Sequence, residues 1–88
     1  MAADSNLFEE LLSFAMTRAK ERKERGNQAR DWKTKQSAES EIKLMVMLAA
    51  DVRAHPWAMV EGIEWLRARA AKDSEHPDFD PIWALTRE

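Results

Sequence analysis

Apolar residues recur at helical spacing in three stretches of this chain, and no stretch shows the two-residue alternation of a half-buried strand. In the first, Leu7, Phe8, Leu11, Leu12, Ala15, Met16 and Ala19 line one side of a helix. Asp4-Ser5-Asn6 offers good amino-terminal caps, and Glu9 and Glu10 stand where a first turn favours negative charge. Gly26-Asn27 is a natural carboxyl-terminal cap, so the pattern predicts a helix over 6–25. Its two halves differ. The stripe runs through residues 7–16, whereas residues 18–25 are almost all charged and are expected to project into water or toward a partner.

A polar connector over 26–36 follows, with Trp32 as its single large apolar residue. Ser37 or Ser40 can cap a second helix over 38–54. Ile42, Met45, Ala49 and Val52 form one face of it, Leu44 and Leu48 a neighbouring one. Val46 and Met47 make this helix apolar nearly all round, which predicts packing on several sides. His55-Pro56 ends it, because the residue before proline is pushed out of the α region. Proline suits the first turn of the next helix, expected over 56–72 with Met59, Val60, Ile63, Leu66 and Ala70 as its stripe. Gly62 in mid-helix costs about 1 kcal/mol relative to alanine and points to close helix–helix contact. Residues 73–88 carry Pro77 and Pro81 and read as an arm. The expected fold class is therefore all-α, a three-helix domain with an extended, proline-containing C-terminal arm. Leu11, Met45, Leu48, Val52, Ile63, Leu66 and Trp83 are the residues expected in its core or in a dimer seam.

Length sets a limit on that core. A chain of 88 residues is one small domain that buries roughly 60–65% of its unfolded surface. Without cysteine, neither disulfides nor thiolate metal sites can reinforce it. Four Trp, three Phe and five Met are a generous apolar supply for this length, and self-association as a homodimer is the expected use of part of it. The longest purely apolar run, Leu44 to Ala50, is far short of the roughly 20 residues of a spanning helix. The start of the chain lacks the basic and long apolar regions of a signal peptide. A cytoplasmic protein with no membrane partner is expected.

Charge is divided along the chain. Eight of the 14 basic residues fall between Arg18 and Lys35, against Glu21, Glu24 and Asp31, while the stretch from Asp73 onward is acidic and aromatic. Such asymmetry bears on partners and not on fold. Arg18, Arg22 and Arg25 share one side of the first helix, and Trp32 and Lys33 follow in the connector. These five are the candidate partner-binding residues. They suit a protein partner, or alternatively phosphates with Trp32 stacking on an unpaired base. The interleaved carboxylates favour the first reading, because alternating charge usually laces a solvated helix. Phe79, Trp83 and Leu85 sit among carboxylates and are expected to pack over the chain's own helices as a clasp in preference to docking elsewhere.

Chemistry for catalysis is sparse. With only Gly26 and Gly62 the chain has no glycine-rich phosphate loop, and it has no cysteine nucleophile or GxSxG elbow. His55 and His76 stand beside prolines without the spacing of a metal site. No catalytic residue, metal ligand or cofactor is expected.

The tail His76-Pro77-Asp78-Phe79-Asp80-Pro81-Ile82-Trp83 resembles the His-Pro-Asp-aromatic…Trp closing motif of small uncharacterised proteins of actinobacteria and their phages. Ala50 to Ala58 is similar to a helix junction in those proteins, and the opening Leu/Phe stripe matches in order, but a β-rich insertion between the first two helices is lacking. The resemblance implies an accessory protein of a phage or mobile element. Together with the residues above it gives the functional expectation: a small non-enzymatic interaction protein that binds and modulates a host protein, the alternative being a nucleic-acid-binding accessory protein that uses the basic surface of 18–35.

Overall fold

A computed structural model of the chain describes the backbone of residues 2–84 and the side chains of residues 6–83. Three helices account for most of it, α1 (Ala2–Gln28), α2 (Trp32–Ala54) and α3 (Met59–Ala70), and no strand occurs among the described residues. The expected all-α, three-helix domain is the observed one. The expected caps Asp4 and Ser5, and residues 85–88 of the arm, lie outside the described side chains or residues.

Helix α1 is longer than its apolar stripe predicts, and Gly26 does not cap it. The left-handed residue is Arg30, at φ 56°. Asp31 N donates to Gly26 O at 2.8 Å and Arg30 N to Asn27 O at 3.3 Å, the paired bonds of a Schellman ending. Asp31 then caps α2 directly, its carboxylate accepting from Thr34 N at 3.3 Å and Thr34 Oγ1 at 2.7 Å. These hydrogen bonds hold the Asp31 carboxyl below the usual carboxylate range. The connector expected over 26–36 thus shrinks to residues 29–31, and α2 starts at Trp32. Gly26 serves another purpose. A Cβ there would lie 2.7 Å from Lys35 N and 3.1 Å from Lys35 Cα, so its hydrogen lets the two helices meet at the turn.

His55 does end α2, with its N–H donating to Asp51 O at 2.8 Å. The helix expected over 56–72 is divided. Pro56–Ala58 forms a 3-10 turn, α3 proper follows, and Ala71–Asp73 tightens into a second 3-10 turn. Gly62 sits where the sequence places a close contact, since a Cβ there would meet Val52 Cγ2 at 2.9 Å and Phe8 Cε1 at 3.2 Å.

Around that contact lies the core. Phe8, Leu11, Leu12, Phe14, Ala15 and Ala19 of α1 face Met45, Ala49 and Val52 of α2 and Ile63, Leu66 and Ala70 of α3. Fully burying each Leu, Ile, Val, Phe or Met stabilises by about 1.5–3 kcal/mol. Of the expected core residues only Leu48 stays partly exposed, packed against the cluster's edge.

The arm is not extended. After α3 it bends through hydrogen-bonded turns, His76 N to Asp73 O at 3.0 Å and Phe79 N to His76 O at 2.9 Å, and finishes in a 3-10 turn over Pro81–Ala84. Asp80 Oδ1 accepts from Ile82 N at 3.0 Å to start that turn. The bends carry His76, Phe79 and Trp83 onto Phe14, with ring centroids 5.9, 5.9 and 5.1 Å away. Trp83 is buried, and Arg67 Nε donates to its carbonyl at 3.1 Å. The aromatic tail is a clasp on its own domain as far as residue 83.

The turn makes opposite predictions for two glycine substitutions. Gly26→Ala gains about 1 kcal/mol of helix propensity but drives a methyl into backbone, so it should destabilise by about 1–2 kcal/mol net. Arg30→Gly relieves a left-handed L-residue and should stabilise by about 0.5–1 kcal/mol. Urea unfolding measures both, and a Gly26→Ala chain as stable as wild type contradicts the close approach.

Candidate functional site

Two of the five candidate partner residues point inward. Arg18 is only 7% exposed. Its Nε lies 2.8 Å from Glu21 Oε1, its guanidinium stands 5.3 Å from the Phe14 ring centroid, and Nη1 lies against the His76 imidazole and 3.9 Å from Asp78 Oδ2. Arg22, one turn on, bridges both other parts of the fold: Nη2 to Glu41 Oε2 of α2 at 2.8 Å, and Nη1 to Asp73 Oδ2 after α3 at 3.0 Å. The charged half of α1 therefore does not project freely. The arm and α2 cover the side carrying Arg18 and Arg22, because that side continues the core stripe along the helix.

Glu41 is the centre of this arrangement. Its side chain is 14% exposed and receives Arg69 Nη1 on its other oxygen at 3.0 Å. Arg69 in turn lies over Trp65, 4.6 Å from the ring centroid. Burial pushes the Glu41 carboxyl up, but the hydrogen bond and charge of Arg22, with the charges of Arg69 and Lys72, outweigh it and hold the group below its ordinary 4.5. Burial likewise pushes the Arg22 guanidinium down, and its bonds to Glu41 and Asp73 reverse that, leaving it raised. Arg22 stays charged at any working pH.

Arg25, Trp32 and Lys33 are exposed at the α1–α2 turn, Trp32 at 68%, with the Lys35 ammonium 5.7 Å from its ring centroid. A hollow of about 870 Å³ opens beside Arg25, walled by Arg18, Arg22, Arg25 and Lys72 but equally by Glu21, Glu24, Asp73 and Glu75. Mixed walls of this kind give no field of one sign to hold an anion. A second hollow of about 480 Å³ lies under the clasp, between Glu9, Ser13, Thr17 and Trp83. No cluster of metal-ligating side chains occurs among the described residues. None of their helices is long and apolar enough to cross a membrane.

Further large apolar side chains are exposed along α2 and after it. Helix α2 buries Ala38, Met45, Ala49 and Val52 but leaves Leu44, Val46 and Met47 in water, with Met47 59% exposed. Trp57, at 79%, in the 3-10 turn after α2, and Val60 near the start of α3 are exposed as well. Packing on several sides, as the all-round apolar sequence of α2 predicts, does not occur among the described residues, which supply no fourth layer. Large apolar residues grouped beside one another outside a finished core mark an interaction surface more often than a lone exposed one does.

No family model matches the chain, and neither a curated protein nor a solved structure matches it.

The sign of the pH dependence follows from Glu41. A carboxyl held below its unfolded value adds stability that is complete above about pH 4.5 and is lost as pH falls through the folded value. Glu41→Gln should cost about 1–2 kcal/mol at neutral pH and flatten the acid decline. Thermal melts from about pH 7 to pH 3 measure this, and a variant that declines as steeply as wild type contradicts it. By the same geometry Arg22→Ala should destabilise by about 1–2 kcal/mol, whereas Arg25→Ala should stay within about 0.5 kcal/mol of wild type.

Proposed function

We propose that this chain works by binding another protein, and that its contact surface is the exposed apolar side of α2 with the α2–α3 junction: Leu44, Met47, Trp57 and Val60. One observation carries the reading. The core is complete on the opposite face of α2, yet large apolar side chains remain in water on this one. Tryptophan anchors of this kind dominate binding energy where a partner pocket receives them. In the setting that the tail's resemblance implies, the assembly that this surface builds modulates a host protein.

The exposed cations Arg25 and Lys33, with Trp32, form a rim at the far end of α2 that adds rate and orientation more than affinity. Phosphate binding through the basic block draws less support. Arg18 and Arg22, two of the cations it would use, are committed to carboxylates of the fold, and Glu21, Glu24 and Asp31 border the rest.

Capture from a lysate of the cells that make this protein separates the surfaces. The wild-type chain should retain a protein that a Met47→Lys/Trp57→Lys chain loses by about tenfold or more, and that an Arg25→Glu/Lys33→Glu chain retains at two- to threefold lower yield. Circular dichroism checks that each variant keeps its helices. Equal retention by the Met47→Lys/Trp57→Lys chain sinks the proposal.

A further inference from the structure

The apolar face of α2 is not uniform, and its pattern names the occupant. Ser40, Lys43, Leu44, Met47, Ala50, Asp51 and Ala54 are all exposed. At 100° per residue they fall within an arc of about 120° centred on Met47. Within the row the charges lie four residues to either side of Met47, positive toward the start of the helix and negative toward its end. Neither Lys43 nor Asp51 joins an ion pair among the described residues.

From this symmetry, and resting on the docking reading above, we infer that the occupant is a second copy of the chain, with the two α2 helices packed antiparallel about a two-fold axis at Met47. An isologous pair brings residues at equal distance on either side of the axis level with each other. Lys43 of each copy then meets Asp51 of the other, so both charges are matched twice. Leu44 comes level with Ala50 of the partner subunit, large against small, and Ser40 level with Ala54 of the partner subunit, small against small. Packed helices lie 8–10 Å apart depending on the side chains at the contact, and small residues such as these favour the shorter end of that range. Met47, flexible and at the centre, meets its own copy and fills whatever gap remains. The parallel alternative is worse on charge. It sets Lys43 against Lys43 and Asp51 against Asp51, two like-charge pairs in place of two opposite ones.

The absence of cysteine makes the geometry directly testable. Light scattering coupled to gel filtration should give twice the 10.2 kDa chain mass at tens of micromolar. Lys43→Asp alone and Asp51→Lys alone should each raise the dimer dissociation constant about tenfold or more, and the double exchange Lys43→Asp/Asp51→Lys should return it to near the wild-type value. Met47→Cys should form a disulfide-linked dimer under mild oxidation, and Lys20→Cys, on the exposed side of α1, should not. All these positions are exposed, so folding is not at stake, and circular dichroism confirms it. A chain that stays monomeric at all concentrations overturns the inference, as does a double exchange that fails to recover. A monomer whose capture of a different protein still depends on Met47 and Trp57 refutes the dimer and leaves the docking reading standing. Loss of both dependences refutes both.

Discussion

The close approach of α1 and α2 at their shared turn is the constraint on which the rest of the structure depends. It is possible because the buried residues of α1 become smaller toward the turn: Phe8 and Leu11 at one end, then Ala15 and Ala19, and finally Gly26 against the backbone of Lys35. Where apolar side chains run out, long charged ones take over. Glu41 stands one turn beyond Ala38, within reach of Arg22 only because the helices are already close there. Asp73 and Arg69 then join from the α3 side, so a few short ion pairs close the end of the domain that the core does not reach.

Such a network is weak as a source of net stability, since removing charges from water offsets much of their attraction. Its geometry still has consequences. A half-buried carboxylate gripped by two guanidiniums from different helices admits one relative placement of those helices and penalises others. Apolar packing between alanines would not be so selective, because small faces slide without changing contact. The register of α1 on α2 is therefore set by Glu41 and by the Gly26–Lys35 contact together.

Much of this was legible in the chain. The three stripes, the break at His55-Pro56 and the role of Gly62 follow from spacing and backbone chemistry alone. Two things were hidden. Helix ends depended on hydrogen bonds that no residue type announces: Arg30 takes the left-handed position although Gly26 and Asn27 are better suited to it, because the tight contact at Gly26 needs that glycine inside the helix. The inward arginines were hidden by their charge, yet their spacing was a signal. Phe8, Leu11, Ala15, Arg18 and Arg22 succeed one another at three- and four-residue steps, so Arg18 and Arg22 extend the buried stripe, and only Arg25 of the three stands clear. A like signal lay in α2. An all-round apolar helix with just two other α-helices among the described residues has more faces than helical neighbours, so one face remains outside.

That outer face explains its own composition. A row of Leu44, Met47, Ala50 and Ala54 alone would be an aggregation hazard on a small domain, because any apolar surface would satisfy it. Lys43, Asp51 and Ser40, set among them, change what can cover it. They keep the row hydrated while it is free, and burial against a plain apolar surface would strip both charges of water without return. Only a surface that presents opposite charge at the same spacing recovers that cost. The polar residues therefore act as a filter on partners while the apolar ones supply the driving force, and the placement of one charge four residues before Met47 and its opposite four residues after lets a helix of this same sequence pass the filter.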